Sequence, residues 1–309
     1  MNRLYQTVFA FPGVGIKYCG KEIEFFKKNQ EYFMHFIKEA SSFSKCNFLE
    51  KLKNGDLTFD NTIDENIFSI IYSCGVANYF KAKSILPDLL ICYSFGVYGA
   101  LIISEVLTFK EAVAVMIDAH IEMDNVAKKL EPSDVAVIVG LIKEDAEELL
   151  CRLKLKTVVK INENNDTCIV VSGLKKELDI FCKKALDENA FGAELLNVNL
   201  PFHNSRLLEN IKDSFGKKLQ NYSFKTPKIP IISSIDQSLI TTKEMAKLFV
   251  NKNISTPLNW YKTVESATKD YGAKKIFEVG VGISLTQNGR FTSFDLEYIN
   301  IKNYQRKLV

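Results

Sequence analysis

Residues 131–199 carry the pattern that most restricts how this 309-residue chain can fold. Residues 135–141 form an apolar run of strand length, and 143–153 repeat apolar residues at helical spacing. Residues 157–161 and 167–172 read as strands, joined by the turn-forming stretch Asn162-Glu163-Asn164-Asn165-Asp166. A helix over 175–186 and a strand over 193–199 complete the block. The order is βαββαβ, the ferredoxin-like pattern. Such a unit buries its own core, so it predicts a small domain set into a larger one.

The flanking segments have another rhythm. Residues 7–11 are an apolar strand ended by Pro12-Gly13. Ile23, Phe26, Phe33, Phe36 and Ile37 recur at helical spacing and predict a helix over 21–43; a second runs over 62–83. Residues 87–92 form a short strand opened by a proline, followed by helices over 96–106 and 109–123. After the block come helices over 205–219 and 245–251 and strands over 229–233 and 276–279. Strands alternating with helices predict an α/β fold with a mainly parallel sheet. The larger domain is therefore discontinuous, 1–130 with 200–309, and the smaller one is 131–199.

The chain has 40 basic and 37 acidic side chains, a net charge of +3. That balance argues against a nucleic-acid partner. The pairs Lys27-Lys28 and Arg306-Lys307 read as solvated surface. Seven cysteines are scattered with no metal-binding spacing, which predicts reduced thiols and no metal site. Met1 to Gln6 are not followed by the apolar core of a signal peptide, and the apolar run 85–91 is too short to span a bilayer. The expectation is a cytoplasmic protein with no membrane partner.

The chemistry concentrates at Cys92-Tyr93-Ser94-Phe95-Gly96, between a strand and a helix. A serine on such a bend is presented to a base, and N–H groups at the helix start point at a developing oxyanion. Gly96 holds the small position after the serine; Cys92 stands where glycine is usual before it. A serine there can also be a helix cap. Of the three histidines, His35 lies within an amphipathic helix and His120 on the helix after the bend. His203, in Leu200-Pro201-Phe202-His203-Asn204, sits on a loop able to carry a base to a distant nucleophile. Gly13 and Gly15 read as a tight turn; Tyr18 breaks any dinucleotide-binding pattern.

Taken in order, these segments resemble the malonyl-CoA:acyl-carrier-protein transacylases. Phe11-Pro12-Gly13-Val14-Gly15 is similar to that family's FPGQG, and Cys92-Tyr93-Ser94-Phe95-Gly96 to its GHSLG. Pro201-Phe202-His203 is similar to its PFH, and Thr256-Pro257-Leu258-Asn259-Trp260 to its NPVxW. The segment from Phe277 to Thr286 is similar to its EVGPGxxLT close. The resemblance implies an α/β-hydrolase-like large domain with a ferredoxin-like insert. It implies Ser94 as nucleophile and His203 as base. It implies backbone N–H groups of Val14 and Phe95 as the oxyanion hole, and the backbone carbonyl of Asn253 as the group orienting the histidine. Tyr93, Ala119, His120 and Phe202 would surround the acyl group. The substrates implied are thioesters of coenzyme A or phosphopantetheine, with no permanently bound cofactor. The partner implied is an acyl carrier protein, and the family form is a monomer.

One position breaks the pattern. Malonyl-specific members carry an arginine 25 residues beyond the nucleophile, and counting 25 from Ser94 reaches Ala119. Ile117-Asp118-Ala119-His120 holds no arginine. Asp118 would repel a carboxylate, and His120 should face away from Ala119, about 100° around the helix. Malonyl is therefore expected to be a poor substrate. Three readings stay open: transfer of a non-malonyl acyl group onto a carrier protein, hydrolysis of acyl-carrier-protein thioesters in polyketide assembly, and a catalytically silent docking protein.

Overall fold

The structure, a computed structural model, describes residues 5–14 and 18–304. Gly15 and the Arg306-Lys307 pair lie outside the described residues. The strands are β1 (Thr7–Phe11), β2 (Leu89–Cys92), β3 (Ser133–Val139), β4 (Val159–Asn165), β5 (Cys168–Leu174), β6 (Gly192–Leu195), β7 (Ile231–Ile232), β8 (Leu239–Ile240), β9 (Lys275–Glu278) and β10 (Glu297–Ile299).

Six of them form one sheet in the order β10-β9-β1-β2-β7-β8. Neighbours from β10 to β7 run parallel, and β8 returns antiparallel. A parallel sheet covered on both faces needs uninterrupted apolar strands. Accordingly Val8 to Phe11 and Leu89 to Cys92 are wholly buried. The helix Thr62–Ala82 is apolar nearly all round because it runs through the core. Gly75 gives room there, since a Cβ would meet the Phe33 ring at 2.2 Å. Gly280 likewise lies against Pro12, its virtual Cβ 2.4 Å from that ring, which ties the closing motif to the opening one. The buried Glu278 carboxylate accepts from Leu285 N and Thr286 N and so caps the helix Ser284–Gly289.

The other four strands form an antiparallel sheet, β4-β5-β3-β6. This is the strand order that the βαββαβ pattern produces. Its helices, Lys143–Leu153 and Lys175–Asp187, pack Leu149, Leu178 and Phe181 onto Ala136, Ile138, Ile169 and Val171. By strand alternation Val135, Ile161 and Val170 face the other way, against Phe202.

Several expected boundaries move. The stretch 162–165 is not a turn: β4 continues through Asn165, with register shifts at Lys160/Asn162 and Glu163/Asn165. Asn162 finds partners from distant elements, Tyr93 and Trp260, which no local propensity reveals. The helix over 21–43 divides into Glu22–Lys28, a 3-10 turn Gln30–Tyr32, and Met34–Ala40. A helix Phe48–Asn54 lies where none was expected. The helix over 205–219 begins only at Ile211, because 204–210 turn tightly around the His203 loop. The strand over 193–199 ends at Leu195, and Asn197 and Asn199 take left-handed backbone at φ 55° and 56°.

Candidate active site

The β2 strand delivers Ser94 to a sharp bend. Tyr93 N donates to Phe11 O at 2.9 Å, the last rung between β2 and β1. Ser94 then takes φ 50°, a left-handed conformation costly for any residue with a Cβ. A 3-10 turn Ser94–Gly96 leads into the helix Val97–Ile103. Gly96 is needed because a Cβ there would lie 2.2 Å from Phe11 O. Cys92, buried two residues before the serine, occupies a core position, and burial raises its thiol pKa, so it stays neutral.

His203 reaches this bend from the large-to-small sheet junction. It too has positive φ, 54°. The neighbouring Asn204 fixes the loop: its buried side chain donates to Thr157 O and Ser172 O, both at 2.9 Å, and accepts from Arg206 N and Leu207 N. His203 Nε2 then lies 2.6 Å from Ser94 Oγ, and Nδ1 lies 3.2 Å from Thr256 O. A carbonyl only accepts, so Nδ1 carries the proton. That leaves Nε2 free to accept from the Ser94 hydroxyl. Desolvation lowers the imidazole pKa to about 4, with the Thr256 and Asn253 backbones acting in the opposite direction. The ring is therefore neutral at neutral pH, the state a base requires.

Asn253 was expected to orient the histidine through its carbonyl. In the structure the hydrogen-bonded acceptor is Thr256 O, and the Asn253 backbone adds a second, weaker influence. The Asn253 side chain does something else: Nδ2 donates to Ser94 O at 3.2 Å.

Tyr93 is held from the small sheet. Asn162 Nδ2 donates to its hydroxyl at 3.0 Å, Asn162 Oδ1 accepts from Trp260 N at 2.8 Å, and the Tyr93 and Trp260 rings meet edge-on. Sequence reasoning missed Asn162 and Asn204. Asn162 was hidden in a turn-like composition; only its place in a β-ladder would have separated it from a loop asparagine.

Ser94 and His203 open on a cavity of about 390 Å³. Val14 and Phe95 line it beside the serine, with Tyr93 and Phe202. Ala119 and His120 both line it, together with Met116 and Met123 of the helix Phe109–Ala127. His120 is thus on the lining, where the resemblance put it, although it stands about 100° around the helix from Ala119. Asp118 is not on the wall: it accepts from Lys218 Nζ at 3.1 Å and Tyr222 OH at 2.7 Å on the other side of its helix. The described lining holds no arginine or lysine, and its one carboxylate is Glu65. Among the described residues no His, Cys, Asp and Glu group is arranged to hold a metal ion, and no helix is long and apolar enough to cross a membrane.

Comparison with known proteins bears on the family and the fold. A family model described as acyl transferase domain matches residues 38–292. The malonyl CoA-acyl carrier protein transacylase of Buchnera aphidicola subsp. Schizaphis graminum is 27% identical over 308 residues, 95% of this chain and 95% of that protein. The protein of the same name from Staphylococcus aureus (strain COL) is 24% identical over 282 residues, 90% of this chain and 89% of its own. Among solved structures, the Coxiella burnetii malonyl CoA-acyl carrier protein transacylase superposes with a TM-score of 0.86 at 21% identity, covering 97% of this chain and 95% of that one. A malonyl-transacylase solved in complex with its type II PKS acyl-carrier protein superposes with a TM-score of 0.85 at 20% identity, covering 96% of each chain.

Proposed function

The chain belongs to the acyl transferase domain family, and from that premise we propose that it moves an acyl group from a coenzyme A or carrier-protein thioester to the phosphopantetheine thiol of an acyl carrier protein, through an acyl-Ser94 intermediate, with uncharged acyl groups preferred over malonyl. The observation that carries the reading is the 2.6 Å contact between Ser94 Oγ and a neutral, buried His203 Nε2.

In the first half-reaction His203 Nε2 takes the Ser94 proton as Oγ attacks the thioester carbonyl. The tetrahedral oxyanion is received by the N–H groups of Val14 and Phe95. The imidazolium, steadied by Thr256 O, returns its proton to the departing thiolate. In the second half-reaction the acceptor thiol gives its proton to Nε2, its sulfur attacks the acyl-serine, and the proton goes back to Ser94 Oγ.

The preference against malonyl rests on charge. A carboxylate in this cavity would meet Ala119 and, among the described lining, no lysine or arginine. Removing one partner of a buried ion pair costs about 3–5 kcal/mol. Mass spectrometry of the intact protein after treatment with acetyl-, butyryl- and malonyl-CoA, followed by addition of holo carrier protein, tests the reading. Acyl mass on Ser94 that passes to the carrier supports it. Free acid released instead points to thioester hydrolysis, and a Ser94 that never gains mass with any thioester points to a silent docking protein.

A further inference from the structure

The cavity contains a polar group that the mechanism above leaves unused. Asn66, from the first turns of the helix Thr62–Ala82, lines the same cavity as Ser94 and is more than nine-tenths buried. Its described side-chain bond is weak: Nδ2 lies 3.9 Å from Met116 Sδ. A thioether is a poor acceptor, and an amide has two donors and an acceptor to satisfy. On the same lining Met116, Ala119 and Met123 carry no strong hydrogen-bonding group. Buried amides short of partners are unfavourable and uncommon in folded proteins. Asparagine is also a poor helix former, and its neighbours Ile67 and Phe68 are apolar core. Folding alone does not call for Asn66.

Resting on the acyl-transfer reading, we propose that Asn66 selects acyl chains that carry a neutral oxygen, a hydroxyl or a keto group. Such an oxygen supplies what the thioether does not: a keto oxygen accepts from Nδ2, and a hydroxyl can accept from Nδ2 or donate to Oδ1. Glu65, next in the chain and also on the lining, sets the sign of the local field. Burial raises the Tyr18 pKa, and the Glu65 charge adds to the shift. A negative field beside the amide leaves neutral oxygens acceptable and turns carboxylates away.

The test is the rate of Ser94 acylation by 3-hydroxybutyryl-, acetoacetyl-, butyryl- and succinyl-CoA in the unmodified protein, Asn66→Leu and Asn66→Asp. The unmodified protein should favour both oxygenated chains over butyryl by about tenfold, the scale of one recovered hydrogen bond, and use succinyl least. Asn66→Leu should bring the oxygenated-to-butyryl ratio down to about one. Asn66→Asp, close in shape, should keep the hydroxyl substrate and lose the keto substrate, because a carboxylate accepts but does not donate. This second variant decides the matter if the leucine variant fails to fold. An oxygenated-to-butyryl ratio unchanged in both variants, or butyryl preferred by the unmodified protein, overturns the selectivity alone. A Ser94 left unacylated by every thioester overturns the acyl-transfer reading and this selectivity with it.

Discussion

The side-chain amide of Asn253 donates to the backbone carbonyl of Ser94 at 3.2 Å, while the backbone of the same residue acts on His203. One residue thus steadies both the strained bend that carries the hydroxyl and the ring that faces it. Truncation to Asn253→Ala keeps the main chain and removes only the hold on Ser94. Small displacements of reacting groups can cost about 100-fold in rate. Asn253→Ala is expected to lower kcat by roughly 10- to 100-fold with KM little changed. Steady-state kinetics with acetyl-CoA and carrier protein check this, and a variant with unchanged kcat would show that the bend holds itself.

The His203 pKa of about 4 sets the acid limb of activity. An ordinary imidazole gains its proton near pH 6.5, whereas this one stays neutral and able to accept well below that. The rate constant kcat/KM is expected to stay flat down to about pH 5 and fall only as pH approaches the folded pKa. The same shift bears on stability. The unfolded chain binds this proton first as pH falls, so His203 contributes full stability above about pH 6.5 and loses it as pH drops through 4. A pH–rate profile with a limb near 6.5 would mean that the ring is solvated.

Ala119→Arg places a cation on the cavity wall beside Met116 and Met123. It should raise the malonyl-to-acetyl ratio of kcat/KM by at least about tenfold, through the bidentate pairing an arginine makes with a carboxylate. Competition between the two thioesters for one carrier protein reads the ratio directly. If malonyl is already the better substrate of the unmodified protein, position 119 does not govern acyl choice.

Gly96→Ala would drive a Cβ to 2.2 Å from Phe11 O, a backbone atom locked in the β1–β2 ladder. Overpacking of this kind costs about 1–3 kcal/mol or more. The variant is expected to unfold at lower temperature and to lose Ser94 acylation, because the relief must come from the bend itself. Differential scanning calorimetry with acylation measured on the same sample separates the two effects. A variant with unchanged melting and acylation would show that the bend has room to spare.

The order of elements was legible in the chain because hydrophobic periodicity is local. β1 over Thr7–Phe11 and the helix Lys143–Leu153 follow from their own residues, as does the βαββαβ block. Neighbouring residues marked Ser94 as a candidate, on a bend between strand and helix, and His203 as a candidate, on a loop after Pro201-Phe202; their pairing as nucleophile and base was implied only by the resemblance of the ordered motifs.

What tertiary structure alone decided was who meets whom. Asn162 looks like a turn residue until Tyr93, just past β2, and Trp260 N, at the start of the helix Trp260–Lys269, meet it. The acceptor for His203 Nδ1 is Thr256 O, and no local pattern separates that carbonyl from the one at Asn253. His120 shares the wall with Ala119, and Asp118 is drawn away by Lys218 and Tyr222, because cavity shape and ion pairing are set by the packing of whole helices. Propensity and periodicity act over a few residues. Hydrogen bonds between residues 100 or more apart in sequence, such as Ser94 to His203, exist only once the two layers have closed.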